Sequence, residues 1–208
     1  LKTKISYLIA DKYGVFERNY LSSQNYISSG KKRKLRTAVL NELNSDKVET
    51  MYTPTKYYRD GDINNDTPAK NHIPPWILIQ NISFTRAIRW YSILKSADKK
   101  EIYRQFPIIK NVRDTDSIET QYFLDSLKIL RDYRNNVAHG YRSINVSITN
   151  SVRIEAFDNI IPNNVLSISE FDTFGKNDLY SVLISIESLT DYTILETTFI
   201  KELSALFN

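Results

Sequence analysis

Apolar residues recur along most of the chain with helical rather than strand spacing. Ile5, Leu8, Ile9, Tyr13 and Phe16 share one helical face, with Gly14 as an interruption, and predict an N-terminal helix. A polar stretch from Ser22 to Gly30 leads into a second helix with apolar positions Leu35, Val39, Leu40 and Leu43. Residues 53–75, rich in Pro, Asn and Asp, read as one long loop. Pro74-Pro75-Trp76 opens a third helix, because Pro suits a first helical turn. Its wide apolar surface, from Trp76 through Ile79, Ile82, Phe84, Ile88 and Trp90 to Leu94, predicts burial, both tryptophans included. A short helix over 98–106 follows.

The clearest helix spans 115–138. Its stripe runs Phe123, Leu127, Leu130, then position 134, then Val137 and Ala138, all on one face, and Gly140 offers a C-terminal stop. Residues 143–171 change character: Ile144 to Ile148, Val152 to Phe157 and Val165 to Ile168 alternate, which predicts a small two- or three-stranded β element. Asn177-Asp178 is placed to cap a helix through Leu189, and Asp191 another through Phe207. The predicted fold is mainly α with a small β element in the C-terminal third. Residues 1–142 form the helical region, 143–175 the β segment, and 176–208 helices that complete the same bundle.

Composition fits this picture. The 208 residues are 41% hydrophobic and 25% charged, a normal balance for a folded protein, and only 5 Gly and 6 Pro argue against a turn-rich sandwich. Cysteine is absent, which removes disulfides, thiolate metal sites and thiol nucleophiles. With His72 and His139 the sole histidines, a zinc site would need scattered carboxylates, so no metal and no cofactor are expected. No secretory signal is apparent, and no apolar run approaches the ~20 residues that span a bilayer. A cytoplasmic protein without membrane contact is expected. The net charge of +4 is a mild basic bias. It concentrates in Lys31, Lys32, Arg33, Lys34 and Arg36, a run that can grip a phosphate backbone or simply form a solvated helix face; with Lys99, Lys100 and Arg104 it makes a candidate RNA-tracking surface.

Chemistry gathers where the strongest helix ends. Arg134 occupies a stripe position where Leu or Ile would be expected, and a buried guanidinium must face a carboxylate, a cavity or a subunit interface. Asn135 and Asn136 are poor helix formers, and His139 follows one turn later. Polar groups set against local preference mark functional sites. The residues alone admit a structural alternative, in which Arg134 pairs with Asp125 or Asp132 and His139 bonds the last carbonyls of the helix.

Arg134 to His139 fits the R-x4-6-H pattern of HEPN-domain ribonucleases. Ile73-Pro74-Pro75-Trp76-Ile77-Leu78 with Asn81-Ile82-Ser83-Phe84, and Leu130 to His139, resemble two stretches of the Abi-like (abortive infection, AbiD/AbiF type) family at matching separation. The resemblance covers residues 1–142 and touches the remainder through Lys176 to Leu179. Family members usually carry Gly where this chain has Thr85.

The resemblance implies a HEPN-type helical bundle and a homodimer with a composite active site. It also implies an endoribonuclease that acts without metal as a toxin in abortive infection. His139 would be the general acid/base, Arg134 the stabiliser of the phosphorane charge, and Asn135 the residue that orients either. RNA would track over Lys31, Lys32, Arg33, Lys34, Arg36 and Arg142, with a small RNA or a protein antitoxin as restraint. Tyr141 completes R-x4-H-x-Y, the position at which some HEPN toxins are silenced by modification. Three alternatives accompany this reading: a non-catalytic RNA-binding HEPN protein, a structural or interaction module in which Arg134 and His139 only hold a dimer together, and a toxin of a toxin–antitoxin pair controlled through Tyr141.

Overall fold

The computed structural model describes residues 1–52, 73–106, 116–140, 148–153, 168–171, 173 and 175–190. Its helices are α1 (Lys2–Tyr13), α2 (Glu17–Tyr20), α3 (Gly30–Tyr52), α4 (Pro75–Asn81), α5 (Phe84–Ser92), α6 (Ser96–Tyr103), α7 (Asp116–Ala138), α8 (Ile168–Phe171) and α9 (Leu179–Leu189). The protein is mainly helical. No strand occurs among the described residues, whose one sheet-like pairing is an isolated antiparallel bridge between Tyr26 and Leu94. None of the helices described is long and apolar enough to cross a membrane. The expected loop over 53–72 and the last helix from Asp191 lie outside the described residues. The chain divides into two units, Leu1–Ile102 and Tyr103–Asn208.

In the first unit, α1 ends at Gly14, whose φ of +80° is the left-handed value that glycine adopts without a Cβ clash. Its Ile5, Leu8 and Ile9 are buried, and α1 packs on α4 while α3 packs on α4 and α5. Aromatic rings fill the centre with their polar tips satisfied. Tyr26 Oη donates to the Tyr20 carbonyl at 2.6 Å and accepts from Trp90 Nε1 at 3.0 Å, and Tyr20 Oη donates to the Ile73 carbonyl at 2.6 Å. Burial pushes both phenols well above their usual range.

The single buried helix expected after Pro75 is in fact two. The apolar pattern runs unbroken through Ile82 and Phe84, yet Ser83 adopts extended backbone and caps α5 by accepting from the Arg86 N–H at 3.1 Å. The break also corrects the placement of Trp76. The inward face of the short α4 is set by Pro75, Leu78 and Ile79, which leaves Trp76 39% exposed, whereas Trp90 is fully buried. Leu35 likewise sits beside the inward face of α3 rather than on it, and is 37% exposed.

The second unit is built on α7, against which α9 packs. Tyr122 Oη lies 2.6 Å from Ser188 Oγ across that interface, and Tyr103 Oη donates to Glu119 Oε2 at 2.7 Å. Asp178 caps α9 as expected, accepting from the Ser181 N–H at 2.9 Å. Residues 148–153 form no strand, because their polar groups are taken elsewhere. Asn150 bonds Asp132 of α7, the Val152 N–H donates to the Lys176 carbonyl at 3.2 Å, and Asn177 donates to the Ile148 carbonyl at 3.4 Å. Ile148 and Val152 are buried between these anchors. Ile168 opens the helical turn α8 instead of closing a strand. The remaining positions of the expected β element, 144–147, 154–157 and 165–167, lie outside the described residues.

Candidate active site

The apolar stripe of α7 leaves the core part-way along. Phe123 and Leu127 are buried, Leu130 is half-buried, and beyond it Arg134, Val137, Ala138 and His139 are exposed. Arg134 is therefore not a buried cation. Helical periodicity assigns the side on which a residue lies, but not how far the core beneath that side extends.

The carboxylates that could have claimed Arg134 are engaged with other groups. Asp125 accepts from Gln121 Nε2 at 2.7 Å and from Lys128 Nζ at 3.2 Å. Asp132 accepts from Arg131 Nη2 at 2.6 Å and from Asn150. Arg134 donates instead from Nη1 to Asn135 Oδ1 at 3.0 Å. That bond uses one edge of the guanidinium and leaves a fork of donors turned to solvent.

His139 stands at the helix end. Its backbone N–H is shared between the carbonyls of Asn135, at 3.0 Å, and Asn136, at 3.1 Å. The Gly140 N–H then closes on the Val137 carbonyl at 3.1 Å, with Gly140 at φ +83°. The termination read from Gly140 is thus observed, and it fixes the residue that carries the imidazole. Helical rotation of about 100° per residue separates positions 134 and 139 by about 140°, so one chain sends the two side chains off α7 in different directions.

Arg134, Asn135 and His139 are thus gathered on the last turns of one helix in the second unit. Tyr141, Arg142 and His72 lie outside the described residues. The basic run belongs to the first unit and splits between two faces of α3. Lys31, Lys32, Arg33 and Lys34 are exposed, and Arg33 and Lys34 line a shallow groove of about 520 Å³ with Gly30, Thr37, Ala38 and Asn41. Arg36 turns inward and donates from Nη1 to the Ile27 carbonyl at 2.9 Å, which holds the chain leading into α3. Lys99, expected on the same RNA-tracking surface, is instead buried on α6, because the face of that short helix is set by the elements packed on it and not by its own charge pattern.

The family model described as Abi-like protein matches residues 1–145 of this chain. No curated protein and no solved structure matches it. The matched region includes α1 to α7 and the whole of the Arg134–His139 segment, and on that coverage the chain belongs to the Abi-like protein family.

Proposed function

We propose that this protein is a HEPN-type endoribonuclease that cleaves RNA without a metal ion. Abi-like membership points to abortive infection, in which such an enzyme would act as a toxin that halts the infected cell. The observation that carries the reading is the end of α7, where the Arg134 guanidinium and the His139 imidazole are both exposed to solvent. A structural ion pair would have hidden the first. The same helix end holds Asn135 against Arg134.

The chemistry needs these groups and little more. The RNA 2′-hydroxyl attacks its own phosphorus as a base removes its proton. The bond from phosphorus to the 5′-oxygen breaks, and an acid protonates that oxygen as it leaves. Products are a 2′,3′-cyclic phosphate and a 5′-hydroxyl. Histidine is the side chain whose ordinary titration range suits proton exchange near neutrality. Arginine supplies a permanent, forked donor to the charge that builds on the phosphorane. Asn135 keeps the guanidinium oriented.

The one imidazole in each chain's motif cannot be base and acid in the same step, and the pair diverges around α7. A two-fold dimer would supply a second pair and close one site from two helix ends. Val137, 42% exposed on the same apolar stripe, would be covered there. RNA would be held by Lys31, Lys32, Arg33 and Lys34, and a small RNA or a protein would restrain the enzyme in the uninfected cytoplasm. Residues 176–208 would complete the bundle around α7.

The test is end chemistry. Purified chain incubated with single-stranded RNA in EDTA is expected to yield 2′,3′-cyclic phosphate and 5′-hydroxyl ends, and to leave a strand with 2′-deoxy sugars intact. RNA bound but uncut under all conditions would favour the non-catalytic reading. Cleavage abolished by EDTA would contradict the metal-independent step.

A further inference from the structure

Lys99 is the unexplained charge of the first unit. It is 8% exposed, and no carboxylate lies against it among the described residues. The acids beside it in sequence face elsewhere: Asp98 accepts from Lys12 at 2.8 Å and from Tyr13 Oη at 2.5 Å, and Glu101 pairs with Lys12 at 2.6 Å. Its backbone is fixed, with the N–H bonded to the Lys95 carbonyl at 3.0 Å and its own carbonyl accepting from Tyr91 Oη at 3.3 Å.

The neighbouring charge is another cation. Lys32 lies in the first turn of α3, on the helical face shared by Arg36, Val39 and Leu43, which is the inward face of that helix. The Tyr26–Leu94 bridge and the bond from the Ile27 N–H to the Ile93 carbonyl, at 3.0 Å, hold the chain before α3 against the chain before α6. Both helices start within three residues of that junction. Burial, and then the Lys32 ammonium, push the Lys99 amine down to about 8. One turn beyond Lys32, Arg36 keeps its Nε buried without a hydrogen-bond partner.

A buried amine close to a second cation, with no acid paired to either among the described residues, destabilises the fold unless an anion joins them. We propose that Lys32 and Lys99, at the starts of α3 and α6, form a phosphate-binding site that takes the oxyanion of a phosphodiester or of a free phosphate. Two ammonium groups match two phosphate oxygens, and the N-terminus of α3 adds backbone donors and a favourable dipole. Lys32 is exposed and keeps the site open to solvent. The inference extends the RNA contact proposed for Lys32 by adding the buried Lys99, and it stands without Arg134 or His139.

The experiment follows the Lys99 side chain in the full-length protein labelled at lysine Cε, with Lys99→Arg identifying the resonance. In chloride, the amine is expected to titrate near 8. Inorganic phosphate at matched ionic strength should raise that midpoint by about one pH unit, because an anion favours the ammonium. Lys32→Ala should raise the midpoint in chloride by removing a like charge, yet weaken phosphate binding about tenfold by removing a ligand. A short single-stranded DNA, which cannot be cut through a 2′-hydroxyl, separates the sources. A response at concentrations well below those of phosphate assigns a nucleic-acid backbone, and a response to phosphate alone assigns a free phosphate. A midpoint that stays put with both probes overturns the site. So does a Lys32→Ala protein that binds phosphate as tightly as wild type.

Discussion

Asp132 accepts two hydrogen bonds from Asn150, one from the backbone N–H at 3.2 Å and one from Nδ2 at 2.5 Å. It thereby fastens the segment 148–153 to α7 two residues before Arg134. Asp125, two turns earlier on the same face, lies 3.8 Å from Arg153 Nε. The segment 148–153 therefore runs antiparallel along α7, with carboxylates of that helix as its anchors.

Removing this clasp leaves partly buried donors without an acceptor. Asp132→Ala is expected to destabilise the protein by about 1–3 kcal/mol. Asn150→Ala should cost less, and the double variant should cost little more than Asp132→Ala alone, because both remove one contact. Urea denaturation of the four proteins checks this. Strict additivity would mean that the two residues do not share an interaction.

Gly140 tests the end of α7 separately from its side chains. A Cβ at this position would meet nothing within 4 Å, so only its φ of +83° opposes substitution. Gly140→Ala is expected to cost about 1–2 kcal/mol, and Gly140→Asn clearly less, because Asn tolerates the left-handed region. The melting temperatures of the two variants should fall in that order.

The charged seam between α3 and α5 should respond to salt. Arg89 binds Glu42 with both Nε, at 2.9 Å, and Nη2, at 2.8 Å, and Arg86 bridges Glu42 and Asp46 at 2.8 and 2.9 Å. Glu42→Ala is expected to lose about 1 kcal/mol at low ionic strength, and less in 1 M salt. Equal losses in both conditions would assign the role of Glu42 to packing.

Stability should pass through a maximum near about pH 10, with Lys99 contributing to the rising side and Tyr122, together with Tyr20 and Tyr26, to the falling side. Lys99 titrates at about 8 in the folded chain, below its ordinary 10.5, so above pH 8 the unfolded state binds the extra proton and stability rises with pH. Burial raises Tyr122 to about 12 against the opposing effect of its Ser188 hydrogen bond, so above pH 10 the unfolded state loses its proton first and stability falls. Lys99→Met should flatten the rising limb and raise stability at pH 7 by an amount on the order of 1 kcal/mol. A rising limb that survives in Lys99→Met would place its origin in another group.

Sequence and structure agree most where one local rule decides. Gly14 and Gly140 end their helices and Asp178 starts one, because turn and cap chemistry acts over a few residues. The stripe through Phe123 and Leu127 is buried as its period requires. Disagreement begins where burial depends on distant elements. Nothing local to Arg134 reveals that the core stops near Leu130, and nothing near Lys99 reveals Lys32, 67 positions away in the chain. Ser83 is of a capping residue type, but the apolar pattern runs through it unbroken and does not show the helix break there. Proximity in sequence offers Asp132 as a partner for Arg134, whereas its partners are Arg131 and Asn150. The chemistry proposed for Arg134, Asn135 and His139 is legible as a motif, and the exposure of Arg134 and His139 at one helix end is not.

The central claim rests on the imidazole at the end of α7. The most direct measurement compares RNA cleavage by purified wild type and His139→Ala, with far-ultraviolet circular dichroism and solution mass recorded on both. The expected result is unchanged helix content and mass, with cleavage reduced at least 100-fold (about), the scale of general acid–base catalysis. His139→Ala that folds, keeps its mass and cuts RNA at the wild-type rate would contradict the account.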